Sequence, residues 1–116
     1  MVSPVPAEEA LGRLDPSERR WVEELRDGVR ARFGPRVRDI RLYGSKVRGD
    51  DHDESDIDVL ILVDDNDEAT SRAIWDLAWS ISTWLSPMVI DFERYHEPIS
   101  RASGFYEEMR RESVRL

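Results

Sequence analysis

Asp56 and Asp58 stand two residues apart at the head of the apolar run Val59–Val63. In a strand, side chains two apart point to one face, so both carboxylates share a face and Ile57 takes the other. Two carboxylates held that close repel one another unless a cation lies between them. A hard, oxygen-seeking ion such as Mg²⁺ fits the pair best, because it is commonly bound by one or two carboxylates together with substrate phosphates.

Other sources of such a pattern fail on spacing. An EF-hand opening at Asp51 requires glycine at its sixth position and glutamate at its twelfth, where this chain has Asp56 and Leu62. A phosphoaspartyl phosphatase pair follows its buried strand, whereas here the strand follows the pair. No GxxxxGK[ST] loop is present. The acids of 50–54 read as a solvated connector, as most charge runs do, but Asp58 is in phase with a buried strand and needs another reason.

Gly44-Ser45 supplies that context. A strand that stops at Gly-Ser and turns through Lys46-Val47-Arg48-Gly49 offers backbone N–H groups, a hydroxyl and two cations, a combination suited to triphosphate oxygens. Arg48 could equally pair with the acidic connector. A third carboxylate is expected from a neighbouring strand. In MVIDFE, Asp91 is flanked by apolar residues and is harder to explain as a surface charge than its competitor Glu93, which shares its strand face.

The elements that must position these groups follow from periodicity. Asp15, Pro16 and Glu18 fit an N-cap, a first-turn proline and an N3 acid, which predicts a helix to about Phe33, ended by Gly34-Pro35. Trp21, Val22, Leu25, Val29 and Phe33 make its apolar stripe. Val37–Tyr43 reads as a strand and Ile57–Val63 as a central one, apolar on both faces. Asp64 to Asp67 break that strand and cap a second helix, about Glu68 to Leu85. On it Trp75 and Trp79 project away from the face of Ile74, Leu77, Ala78, Ile81 and Leu85, either under another element or as a protein-binding patch. Ser86-Pro87 is expected to end this helix, Met88–Phe92 to form a third strand, and a final helix to run from about Ile99 to Glu112. The expected fold class is α/β or α+β, a small mixed sheet flanked by helices.

At 116 residues the chain is expected to be one domain, spanning residues 1–116. Cysteine is absent, which excludes disulfides, thiolate metal sites and cysteine nucleophiles and fits a cytoplasmic location. No membrane span or targeting segment is expected. The net charge of −8 is local: residues 50–68 hold ten of the 25 acids and no Lys or Arg, so the remainder is slightly positive. That balance disfavours direct binding to a nucleic-acid backbone.

Gly44-Ser45, ten residues, then Asp56-Ile57-Asp58 resembles the GSx10DxD signature of the polymerase-β-like nucleotidyltransferase superfamily. The short chain and the GSxxRG turn are similar to its minimal nucleotidyltransferase branch, although Val47 stands where that branch more often has alanine. The resemblance covers about residues 15 to 112. It implies that Asp56, Asp58 and Asp91 bind two Mg²⁺ ions around an NTP, usually ATP, that Gly44 and Ser45 hold the β- and γ-phosphates, and that Lys46 and Arg48 contact phosphate. In-line attack on the α-phosphate would then expel pyrophosphate.

Prokaryotic members of this branch often act as antitoxins beside a HEPN-type RNase toxin. The resemblance therefore implies adenylylation of a hydroxyl, a tyrosine of the partner toxin. Two alternatives stand beside it: an antitoxin that acts by contact, through surfaces such as Trp75 and Trp79, and a transferase for a small hydroxylated compound such as an aminoglycoside.

Overall fold

Asp15 is placed to start a helix twice over. Its carboxylate accepts from the Glu18 backbone N–H at 2.9 Å, and the Glu18 side chain accepts from the Asp15 N–H at 3.1 Å, so two otherwise unpaired donors are satisfied where Pro16 needs none. The computed structural model describes residues 7–44, 56–95, 97 and 104–116, the side chains of Ala7, Phe105 and Tyr106 excepted. Within these, helix α1 spans Ala7–Gly12 and α2 spans Pro16–Phe33, with a 3-10 turn at Gly34–Arg36. Strands β1, Val37–Tyr43, and β2, Ile57–Val63, follow. Helix α3 runs Glu68–Ile81, β3 Leu85–Asp91, α4 Phe92–Tyr95, α5 Gly104–Arg111 and β4 Ser113–Arg115.

The strands form a four-stranded mixed sheet in the order β3-β2-β1-β4. β1 is antiparallel to both β2 and β4, while β2 and β3 run parallel. A parallel neighbour needs a crossover, which α3 provides. With α2 and α3 on one side, Ile40, Leu42, Ile57, Val59, Ile61 and Val63 join Val22, Leu25, Val29, Ile74 and Ala78 in the larger core cluster. Gly28 lets the two helices approach, since a Cβ there would lie 3.0 Å from Leu77 Cδ2. On the opposite face Leu60 and Leu62 pack with Tyr95 and Met109, flanked by Tyr43, Met88, Ile90 and Phe92. Burial on both faces is what the unbroken apolar run of β2 required.

This is a mixed α+β fold with a small mixed sheet flanked by helices, as expected, but three boundaries differ. α3 ends at Ile81, where the Ser82 N–H still bonds the Ala78 carbonyl while its hydroxyl accepts from the Trp84 N–H at 3.1 Å. β3 therefore begins at Leu85, not Met88, and Ser86-Pro87 lie inside a strand. Proline is tolerated because β3 is an edge strand with one ladder to satisfy. Phe92, expected in that strand, opens α4 instead.

β4 was not expected: it is three residues long, too short for any periodicity. Its pairing is secured from the side chains, with Asp39 accepting from Arg41 and Arg115, each at 3.1 Å, and the Arg41 Nε bonding Ser113 Oγ at 2.6 Å. Asp39 is only 8% exposed, and its carboxylate is buried with a cation on each oxygen.

Candidate active site

Asp56 lies exposed just before β2, and Asp58 is the second residue of that strand, half-buried on the face of Leu60 and Leu62. The ladder sets its neighbours. Tyr43 of β1 is directly opposite on one side, and Ser86 of β3 on the other. Side chains opposed in register share a face, so these two residues flank the carboxylate.

Gly44 closes the site from the end of β1. Its φ is +90°, a conformation that side-chain-bearing residues avoid, and a Cβ there would lie 3.2 Å from Asp58 Oδ2. Its N–H donates to the Glu112 carbonyl at 3.1 Å, which ties the turn to the chain just after α5. Glycine at this position is thus required by backbone shape and by space beside the carboxylate.

Negative charge collects here. Burial first, and the neighbouring Asp56 second, push the Asp58 carboxyl above its ordinary range. The Tyr43 phenol is also pushed up, by burial and by Glu108, which accepts its hydroxyl at 3.1 Å, with Glu112 and Asp58 adding to the effect. A site that raises the pKa of its own carboxylate is one that a divalent cation relieves. The donor set fits Mg²⁺: two neighbouring carboxylates, with room left by Gly44 for the phosphate oxygens that usually complete such a shell. Among the described residues no three His, Asp or Glu side chains are grouped to hold a metal, so the pair would share the ion with substrate and water.

Asp91 does not join them, contrary to the sequence expectation. In the parallel β2–β3 ladder Asp58 pairs with Ser86, while Asp91 pairs with Val63. Five residues at about 3.3 Å each put it roughly 16 Å along the sheet from Asp58. It has other duties: Oδ1 accepts from the Asn66 N–H at 3.0 Å and Oδ2 from the Arg94 N–H at 3.1 Å. Those two bonds hold its carboxyl below the usual range. Asp91 thus caps α4 and braces the turn between β2 and α3. Glu93, the competitor, is an exposed residue of α4 beyond it.

Ser45, Lys46 and Arg48, expected at the phosphates, lie outside the described residues, as does the acidic connector of 50–54. Trp75 and Trp79 lie edge-on to each other with ring centroids 5.4 Å apart. Trp79 is 58% exposed and Trp84, in the turn after α3, 41%, so the expectation that α3 carries tryptophan off its apolar face holds for Trp79, while Trp75 is half-buried. No helix among the described residues is long and apolar enough to cross a membrane.

Sequence reasoning missed Ser86, Glu108 and Glu112 as residues around the pair. Their placement depends on β3 register and on the docking of α5, and the one local signal, Ser-Pro, reads more naturally as a helix stop.

The family model for the nucleotidyltransferase domain matches residues 22–110, which include Gly44, Asp56, Asp58 and Ser86. A Methanocaldococcus jannaschii protein named "Putative protein adenylyltransferase MJ0604" is 38% identical over 48 residues, 41% of this chain and 48% of that protein. The chain thus matches about half the length of this relative. The match to the family model covers most of the chain, and on that ground the chain belongs to the nucleotidyltransferase domain family.

Proposed function

We propose that this protein transfers AMP from ATP to a hydroxyl group of another protein in a Mg²⁺-dependent reaction. The observation that carries the reading is the Asp56–Asp58 pair at the head of β2, close enough for Asp56 to act on the Asp58 carboxyl, with a glycine at 44 where a Cβ would crowd Asp58. The name of the M. jannaschii relative supports a protein acceptor. The resemblance of the GSxxRG turn, residues 44–49, to the minimal nucleotidyltransferase branch supports, more narrowly, a tyrosine on a HEPN-type toxin.

When bound, a divalent cation would neutralise charge on the triphosphate and favour the deprotonated form of the attacking hydroxyl. The chain's own contributions are separable from that. Asp56 and Asp58 would hold the ion and so set where the α-phosphate lies. Gly44 keeps side-chain atoms out of the space beside Asp58, and Ser45, Lys46 and Arg48 are proposed to hold the β- and γ-phosphates against the turn. The acceptor hydroxyl gives up its proton to solvent as its oxygen bonds to the α-phosphorus, the bond from the α-phosphorus to the α–β bridging oxygen breaks, and pyrophosphate departs with that electron pair.

The test is transfer of label from [α-³²P]ATP, with Mg²⁺, to the product of the neighbouring gene, followed by intact mass. Addition of AMP by the wild type and its loss in the Asp56→Asn, Asp58→Asn double variant is the expected result. The exposure of Trp79 favours a second reading, an antitoxin that neutralises its partner by contact. That reading gains if the double variant protects cells as well as the wild type while Trp79→Ala does not.

A further inference from the structure

We propose that Ser86 is the β3 residue of the active site and that its neutral hydroxyl limits the Asp56–Asp58 pair to one tightly held divalent cation. The inference rests on the metal-dependent transferase reading above and changes one expectation of it, the two ions.

The sheet leaves few ways to reach Asp58. Two ladder positions flank it on its own face, Tyr43 and Ser86. The Tyr43 hydroxyl is committed to Glu108, on the α5 side. Beyond the pair, Leu60 and Met88 make the next level apolar. Ser86 is therefore the remaining sheet position from which β3 can address an ion or phosphate beside Asp58. It is half-buried, and among the described residues its hydroxyl has no hydrogen-bond partner, so it is available for a metal-bound water or a phosphate oxygen.

Charge then decides the number of ions. Two carboxylates balance one Mg²⁺. From the sheet, a second cation on the acceptor side would need a further anionic oxygen; Asp91, expected to supply it from β3, is five residues away along that strand, and Glu108, on the Tyr43 side, already accepts the Tyr43 hydroxyl. A hydroxyl offers a weak, uncharged ligand where a carboxylate would complete a second site.

Mn²⁺ binding to the full chain without nucleotide, read by electron paramagnetic resonance, tests this directly. The wild type should bind one Mn²⁺ per chain and Asp58→Asn none at the same concentration. Ser86→Asp should bind a second ion, or the first at least tenfold more tightly, while Ser86→Asn stays within twofold of wild type. Two ions on the wild-type chain would overturn the proposal, and that measurement does not depend on whether Ser86→Asp folds. So would a folded Ser86→Asp, with wild-type circular dichroism and melting, that binds Mn²⁺ as the wild type does. The label-transfer assay separates the two readings: two bound ions with AMP transfer removes the role of Ser86 and keeps the function, whereas one bound ion with no transfer to any acceptor does the reverse.

Discussion

Asp91→Asn isolates a structural carboxylate from a chemical one. In the folded chain the two Asp91 oxygens each accept one backbone N–H, from Asn66 and Arg94. Asparagine keeps one acceptor and turns an NH₂ donor toward the other N–H, so one bond is lost and the charge assistance with it. For a partly exposed site that is about 1 kcal/mol, and Asp91→Ala, which loses both bonds, about 2 kcal/mol. At roughly 4 °C per kcal/mol for a domain of this size, the melting temperature should fall by about 4 °C and about 8 °C. The folded state holds the Asp91 carboxyl below its unfolded value. Its contribution is therefore complete above the ordinary carboxylate range and is lost as pH falls through the folded value, so the gap between wild type and Asp91→Asn should close below about pH 4. Scanning calorimetry at several pH values, alongside Mn²⁺ titration and label transfer at 20 °C, measures both sides. Stability should drop while metal binding and transfer stay within twofold. If Asp91→Asn abolishes metal binding and leaves melting unchanged, the β2–β3 register argument is wrong and Asp91 belongs to the site after all.

Other substitutions separate site from scaffold in the same way. Asp58→Asn removes a charge that burial and Asp56 oppose, so the metal-free variant should melt no lower than wild type at pH 7. Because the folded carboxyl sits above its unfolded value, any advantage should vanish as pH drops below the carboxylate range, and Mg²⁺ should raise the melting temperature of the wild type alone. Gly44→Ala forces a side chain into φ +90° and puts its Cβ 3.2 Å from Asp58 Oδ2. The strain, about 1–2 kcal/mol, should lower melting by about 4–8 °C, and Mn²⁺ affinity should fall with it in the same titration. Asp67→Ala removes the α3 cap bond to the Thr70 N–H and should lower melting at pH 7 without changing transfer, the difference fading in acid because that bond holds the Asp67 carboxyl low.

The parts of the molecule legible in the sequence are those where one local rule suffices. Asp15-Pro16 and Glu18 announce the start of α2 because capping is a matter of residues within one turn. Val59–Val63 announces a doubly buried strand because five apolar residues leave no solvent face. Asp56 and Asp58 could be placed on a common face before any fold was known, since that follows from strand alternation alone. Gly44 could be assigned to the turn, but not to a contact with Asp58, which depends on how β1 and β2 are paired.

What was not legible is register between strands distant in sequence. Asp91 satisfied every local criterion for a third site carboxylate: strand phase, apolar neighbours and a position on the strand next to β2. Those criteria do not say at which end of the strand the residue falls. Once α3 stops at Ile81, β3 starts at Leu85 and advances parallel to β2, which brings Ser86 level with Asp58 and carries Asp91 to the turn at the far end. A shift of four residues in one helix terminus is thus enough to exchange a carboxylate for a hydroxyl beside the metal pair. The ion number expected for this site follows from that terminus as much as from the DxD motif.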